Sequence, residues 1–360
     1  MLHTVHMFYK LNYHLYSGVF EVLQHLSNRQ NTSFYKEKDE TYHCHLLLKQ
    51  GLRLILRYVE IGEGISYSAL EIIMNPIRLL DGNDYYQLAD ERYEAAIIKA
   101  FKKAFDPIRK AFVSKKGNKY LKPFMLDLLN AYSVKRVDYA VNLYTQHSKL
   151  YMELIRRANI PDGFQQYVIF NPTSKRYEPP ENSFYIFSKS QSKSKNSHVT
   201  LTVNCYDKGI QMQENELPCN DYRASNTIRF EVQCHYNKVY QTIRANGLNR
   251  VGFTQFLNQG IACSILRSFF KKTIGIGDYY TLPRARQIIQ NKKIGADKKA
   301  ALLRTLEMVN AKRGIWKTKD AVMDKGEFAK CVKQLHELGI NPVTIPIKWG
   351  VDYLPSLFEL

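Results

Sequence analysis

Residues 199–208 read Val-Thr-Leu-Thr-Val-Asn-Cys-Tyr-Asp-Lys, and the stretch alternates along its length. Successive side chains of an extended strand point to opposite faces. Val199, Leu201, Val203 and Cys205 therefore share one face, and Thr200, Thr202, Asn204, Tyr206 and Lys208 share the other. One apolar face and one polar face mark a strand half-buried in an antiparallel sheet. Three further stretches have this pattern. In 227–235, Ile228, Phe230, Val232 and Cys234 oppose Arg229, Glu231 and Gln233. In 135–143, Val137, Tyr139, Val141 and Leu143 oppose Arg136, Asp138, Ala140 and Asn142. In 67–74, Leu70, Ile72 and Met74 oppose Glu71.

Working outward, residues 1–11 open the chain as a strand and 19–26 have helical spacing. Stretches 43–50 and 52–60 flank Gly51 as a hairpin. Asn75-Pro76 ends the strand that follows, since Pro cannot donate to a ladder. From Tyr86 to about Leu129 the pattern is helical, with Ala95, Ile98, Phe101 and Phe105 on one face. Residues 164–171 form a strand and 150–158 a helix. The polar run 188–197, SKSQSKSKNS, is a flexible loop over DNA or a solvated hairpin tip. Beyond about Gly260 the chain is helical and basic, and its helix over 326–338 stops at Gly339. The expected architecture is α+β: an antiparallel β-sheet carrying the active site, helices packed on one face, and a basic helical C-terminal region. The expected division is 1–258 for a catalytic domain and 259–360 for a DNA-binding one.

The chain of 360 residues has 52 Lys+Arg against 33 Asp+Glu, a formal +19. An excess of this size draws polyanions, nucleic acid first and an anionic membrane surface second. The 25 Tyr and 18 Phe add rings that can stack on unpaired bases, although many must serve the core. Six scattered cysteines form no CxxC and no paired metal spacing, which fits reduced thiols in a cytoplasmic protein. No signal peptide and no membrane-length apolar run is read, so the chain is expected to be soluble and to work in the cytoplasm of a bacterial host, without a membrane. Walker A and GxGxxG loops are absent, which excludes those phosphate-binding classes.

The polar faces carry the chemistry. One sheet could present Glu71, Asp138 and Glu231 together with Tyr206 and Lys208. Three converging carboxylates repel unless a hard cation lies between them, which makes Mg²⁺ or Mn²⁺ the expected cofactor. On a phosphodiester the metal would polarise the phosphate, the Tyr206 phenolate would attack, and Lys208 would steady the leaving oxygen. Alternation by itself leaves open that each acid is an ordinary solvent-facing residue. Arg136 and Arg229 beside the acids, and Lys271, Lys272, Lys292, Lys293, Lys298 and Lys299 in the C-terminal helices, are the candidate phosphate contacts. His43-Cys44-His45 offers a competing histidine-pair motif.

Four strings then bear together: LEIIMNPIRLLDGND (70–84), RVDYAVN (136–142), TLTVNCYDKG (200–209) and IRFEVQCHYNKVY (228–240). In this order, with the tail ELGINPVTIPIKWGVDY (337–353), they resemble the rolling-circle replication initiators of filamentous phages, the gene II and RstA-type proteins. The resemblance runs patchily from Leu46 to the C-terminus. It implies Tyr206 as nucleophile, Lys208 as the lysine two residues on, and Glu71, Asp138 and Glu231 as metal ligands. The activity implied is site-specific nicking of an origin strand through a 5′-phosphotyrosyl link, followed by rejoining of the displaced strand. Implied partners are the double-stranded circular replicon at its origin, the displaced single strand, and a host helicase and polymerase. The rival readings are a conjugative relaxase with the same chemistry and a non-catalytic DNA-binding repressor.

Overall fold

The computed structural model describes residues 1–62, 65–116, 125–189, 199–217, 222–248 and 252–358. In chain order the elements are β1 (Leu2–Leu11), α1 (Tyr13–Arg29), β2 (Phe34–Lys36), β3 (Thr41–Cys44), β4 (Leu52–Gly62), β5 (Ile65–Met74), α2 (Pro76–Leu80) and α3 (Glu94–Lys116). Then follow β6 (Ser133–Tyr144), α4 (Ser148–Ile155), β7 (Phe164–Gln166), β8 (Ile169–Asn171), β9 (Arg176–Glu178), β10 (Ser183–Lys189), β11 (Val199–Asp207), α5 (Lys208–Glu214), β12 (Thr227–Cys234) and α6 (Tyr236–Ala245). The chain closes with α7 (Gln259–Thr273), β13 (Tyr279–Tyr280), α8 (Leu282–Asn291), α9 (Ala296–Lys312), α10 (Ile315–Ala321), α11 (Lys325–Glu337) and β14 (Tyr353–Leu354). The fold is α+β, with antiparallel sheet and helices. Most of the loop read at 188–197 lies outside the described residues.

The chain divides into two compact units. The first is Met1–Val141 with Leu217–Asn220 and Gln233–Cys263, and the second is Asn142–Glu216, Asp221–Val232 and Ser264–Leu360. Strands β6 and β12 each pass from one unit into the other, and residues 259–360 enter both.

In the first unit the strand order is β2-β3-β4-β5-β1-β6, and the register puts Glu71 of β5 beside Phe8 of β1 and Ile55 of β4. Val5, Met7, Leu54, Leu56, Leu70, Ile72, Met74, Val134 and Val137 are buried on one face of this sheet. Helix α1 packs on β1 and β5 and in turn receives α3. The buried side of α1 is Leu15, Val19, Val22, Leu23 and Leu26, at helical spacing. Asn12 caps its start by accepting the Leu15 amide at 2.8 Å. On α3 the buried stripe is Ile97, Phe101, Ala104, Phe105, Ile108 and Phe112. Ala95 is exposed, so the stripe is rotated from the one read in the sequence.

β1 pairs with β6 through Arg136 opposite His6 and then Val134 opposite Met7. Lys135 is the extra residue of a bulge, and it leaves Lys135 and Arg136 both outside the buried set.

In the second unit the strand order is β12-β11-β10-β7. Phe184, Ile186, Val203, Cys205, Ile228 and Phe230 are buried. Phe230 meets Phe270 of α7 edge-on at 5.1 Å. A second small core, Ala285, Ile289, Leu302, Leu306, Cys331, Leu335 and Ile340, joins α8, α9 and α11. Strand β10 and helix α6 were not read in the sequence. Lys208, read there as the last polar-face residue of a strand, instead opens α5, because Asp207 accepts the Ile210 amide at 3.1 Å and caps that helix.

Gly51 turns the chain into β4 with φ +75°, and a Cβ there would lie 2.7 Å from the Arg78 Cβ and 3.1 Å from the Asn75 carbonyl oxygen. Gly51→Ala is expected to lower the urea unfolding free energy by about 1–3 kcal/mol, and an unchanged midpoint would show that the turn relaxes freely.

Candidate functional site

The first unit buries a carboxylate among cations. Glu71 is 1% exposed. His6 of β1 donates Nε2–H to its Oε2 at 2.8 Å. Lys135 of β6 donates to both of its oxygens at 3.1 Å, and Arg57 of β4 stands 3.2 Å from Oε1. Burial alone would raise the Glu71 carboxyl, but the His6 hydrogen bond and the charges of His6, Lys135 and Arg57 outweigh it and hold the group at about 2. Burial pushes His6 below the ordinary imidazole value, with Glu71 pulling the other way. Arg136 pairs with Asp138 along the same strand at 3.0 and 3.1 Å. His235, at the start of α6, is driven down to about 4 by burial, helped by Arg136 and His6.

The second unit holds a phenol between a base and a cation. The Tyr206 hydroxyl of β11 donates to Glu231 Oε2 of β12 at 3.4 Å. Arg229, two residues before Glu231 and fully buried, also hydrogen-bonds Tyr206. Its Nε donates to Asn142 Oδ1 at 2.8 Å. Burial, then the Glu231 charge, pushes the Tyr206 phenol above its ordinary value, against the pull of Arg229. Lys208 is buried, and its ammonium donates to Gln211 Oε1 at 2.8 Å.

The residues read as one site therefore fall as follows. Glu71, Asp138 and Arg136 belong to the first unit, and Tyr206, Lys208, Arg229 and Glu231 to the second. Arg229 is spent on Asn142 and Tyr206, inside the unit. Lys271 and Lys272 end α7 and are exposed. Lys292, Lys293 and Lys298 are exposed at the α8–α9 connection, while Lys299 donates to the Gln290 carbonyl at 2.7 Å. His43 of the histidine pair bonds Glu37 at 2.7 Å and stacks on Tyr35 at 5.3 Å, and Cys44 between the two is buried against Ser27. The sequence reading did not assign His6, Arg57, Lys135 or His235. The adjacent cations in the string Val-Lys-Arg-Val-Asp were the visible signal for Lys135.

As ligands for a divalent cation the carboxylates fit poorly. Glu71 and Asp138 are already neutralised by Lys135, Arg57 and Arg136. Among the described residues no group of three or more His, Cys, Asp or Glu side chains is placed to hold a metal ion.

Neither a family model nor a curated protein matches the chain. Among solved structures, the di-domain ARO/CYC StfQ from the steffimycin biosynthetic pathway superposes with a TM-score of 0.19 and 9% identity, over 75% of this chain and 96% of that one. A superposition that loose carries no information on chemistry.

The depressed Glu71 carboxyl links stability to pH. Its ionised form is favoured by folding, so its contribution is complete above the unfolded value near 4.3 and is lost as pH falls toward about 2. The shift corresponds to about 3 kcal/mol at neutral pH. The stability difference between wild type and Glu71→Gln, from urea melts, is expected to shrink steadily between about pH 5 and pH 2. A constant difference would mean that the carboxyl titrates normally.

Proposed function

We propose that the chain nicks and rejoins DNA with Tyr206 as its nucleophile, as an initiator of rolling-circle replication. The observation that carries this reading is the Tyr206 hydroxyl set against Glu231 at 3.4 Å and hydrogen-bonded to buried Arg229. A phenol held above its ordinary value attacks poorly unless its proton leaves as the new bond forms. Glu231 is placed to take that proton. Arg229 is placed to hold the negative charge that develops on the phenol oxygen. In the proposed step the Tyr206 oxygen bonds to phosphorus and the P–O3′ bond breaks. The 3′ oxygen leaves and takes a proton from solvent, the phenol's own proton stays on Glu231, and the 5′-phosphate stays on the tyrosine. Rejoining is the same exchange reversed.

The formal +19 and the resemblance in residues 70–84, 136–142, 200–209 and 228–240 support DNA as the substrate. Substrate and partners would be the circular duplex at its origin, the displaced single strand, and a host helicase and polymerase. No step here passes through Mg²⁺ or Mn²⁺: Glu71 and Asp138 are paired with Lys135, Arg57 and Arg136, and Glu231 serves as the base. The full burial of Arg229 favours a second reading: a polar cluster that only braces β11 against β12 in a DNA-binding protein without covalent chemistry.

Incubation with supercoiled DNA carrying the native origin, followed by SDS electrophoresis, separates the two. The expected result is a covalent adduct on the peptide that contains Tyr206, lost in Tyr206→Phe while origin binding persists. Glu231→Gln is expected to slow nicking about 10²- to 10⁴-fold. Adduct formation in EDTA is the outcome expected if Glu231 serves as the base. Adduct that forms only with Mg²⁺ or Mn²⁺ would mean that the carboxylates exchange their cationic partners for the ion. No adduct on any origin substrate would leave the DNA-binding reading.

Lys298, exposed at the α8–α9 connection, and Lys299 beside it, half-buried, are expected to contact phosphates. Reversal of Lys298 and Lys299 to Glu should weaken binding to every sequence and flatten its dependence on salt, since fewer counterions are released. An unchanged slope in a fluorescence titration would remove them from the interface.

A further inference from the structure

A cavity of about 540 Å³ opens in the second unit between the end of α7 and the helices α10 and α11. This is within the range of small-ligand pockets, roughly 300–1,000 Å³. Its wall is apolar over Ile276, Ile315, Phe328 and Val332, and its lining also contains four lysines. Two of these are neutralised: Lys319 pairs with Asp162 at 2.6 Å and Lys333 with Glu337 at 3.7 Å. The other two, Lys271 and Lys272, pair with no carboxylate among the described residues. Their ammonium groups stand over the Phe358 and Phe269 rings at 5.3 and 5.5 Å. His336 lines the same cavity. Burial drives it down to about 4, so it is neutral at neutral pH. Its Nδ1 accepts the Gly277 amide at 3.4 Å, which leaves the proton on Nε2.

We propose that this cavity holds one unpaired nucleobase of a single DNA strand, with the flanking phosphates on Lys271 and Lys272. The inference rests on the nucleic-acid reading above and not on cleavage. An apolar wall that includes a phenylalanine suits the face of any base. The His336 Nε2–H can meet an acceptor on a base edge. A fatty acyl chain would fill the same wall but leave that donor unpaired, which is unfavourable in a buried place. Two adjacent cations at the rim match the two phosphates of one nucleotide unit better than a single carboxylate. The pocket would grip the displaced strand wherever a base can be turned out of the stack.

The test measures binding alone, so it stands or falls separately from the nucleophile. A fluorescent oligothymidylate of about ten nucleotides and an abasic strand of the same length are titrated against three proteins: wild type, Ala329→Trp, and the double variant Lys271→Glu/Lys272→Glu. Ala329 lines the cavity and is exposed, so a larger side chain there fills the space without disturbing the core. Melting temperatures confirm that the variants fold. Wild type is expected to bind the thymidylate about tenfold more tightly than the abasic strand. Ala329→Trp should erase that difference and keep the abasic affinity, whereas the double charge reversal should weaken both strands. Equal binding of the two strands by wild type would overturn the proposal. So would a base preference that survives Ala329→Trp. Dodecanoate bound by wild type but not by Ala329→Trp, with no base preference in either, would reassign the cavity to an acyl chain.

Discussion

One buried carboxylate ties four neighbouring strands together. Glu71 sits on β5, and its partners come from β4 (Arg57), β1 (His6) and β6 (Lys135), which run in the order β4-β5-β1-β6. A lone carboxylate inside a sheet would be strongly unfavourable. Here His6 and Lys135 donate hydrogen bonds to it and Arg57 adds its charge, and each of the three strands must be in register for its side chain to reach it. The bulge at Lys135 is part of this arrangement, since it lets two successive cations of β6 leave the buried face, one for Glu71 and one for Asp138. Removal of any one donor leaves a charged group short of a partner, so the cluster enforces strand register as well as stability.

This explains why acids that looked like metal ligands in the sequence stand differently in the fold. Alternation told correctly that Glu71 and Asp138 oppose the apolar residues of their strands. What neutralises Glu71 comes from other strands, and His6, Arg57 and Lys135 are separated from it in the chain, whereas Asp138 is met by Arg136 two residues away on its own strand. The bulge is likewise set by the partner strand and is invisible in β6 alone. Strands β5, β6, β11 and β12 were legible because each has one apolar face of period two. Strand β10, Ser183–Lys189, merges into a Ser- and Lys-rich run and lacks that contrast. Lys208 shows a local override: alternation carried it along the strand, but Asp207 is a good helix cap and ended the strand one residue earlier. Arg229 was read as facing phosphate because a polar residue on a strand is expected to meet water. A long side chain can instead turn inward when an amide such as Asn142 and a phenol such as Tyr206 await it.

The two polar clusters have opposite electrostatic characters. Around Glu71 the cations are in excess, and the acid is held far below its ordinary range. Around Tyr206 burial and a carboxylate dominate, and the phenol is held above its own. Environments that push titratable groups apart in this way are how a fold separates a permanently charged group from one that exchanges a proton. By that criterion Glu71 is a fixed charge of the scaffold, and in the proposed reaction the pair Tyr206–Glu231 is where the proton moves.

In the proposed reaction a raised phenol has a further consequence. A tyrosine that stays protonated at rest does not attack water-exposed phosphates at random, because attack requires Glu231 to receive the proton at that moment. The reverse step uses the same path. When a 3′ hydroxyl returns to the phosphotyrosyl link, the departing phenol oxygen is a poor leaving group unless protonated, and Glu231, then carrying the proton, is the group within reach. Arg229 holds the charge in both directions, and its bond to Asn142 keeps it from turning to solvent between them. A water molecule that replaced the 3′ hydroxyl would end the cycle, so the burial of Arg229 and Glu231 beside the half-buried Tyr206 favours strand exchange over hydrolysis.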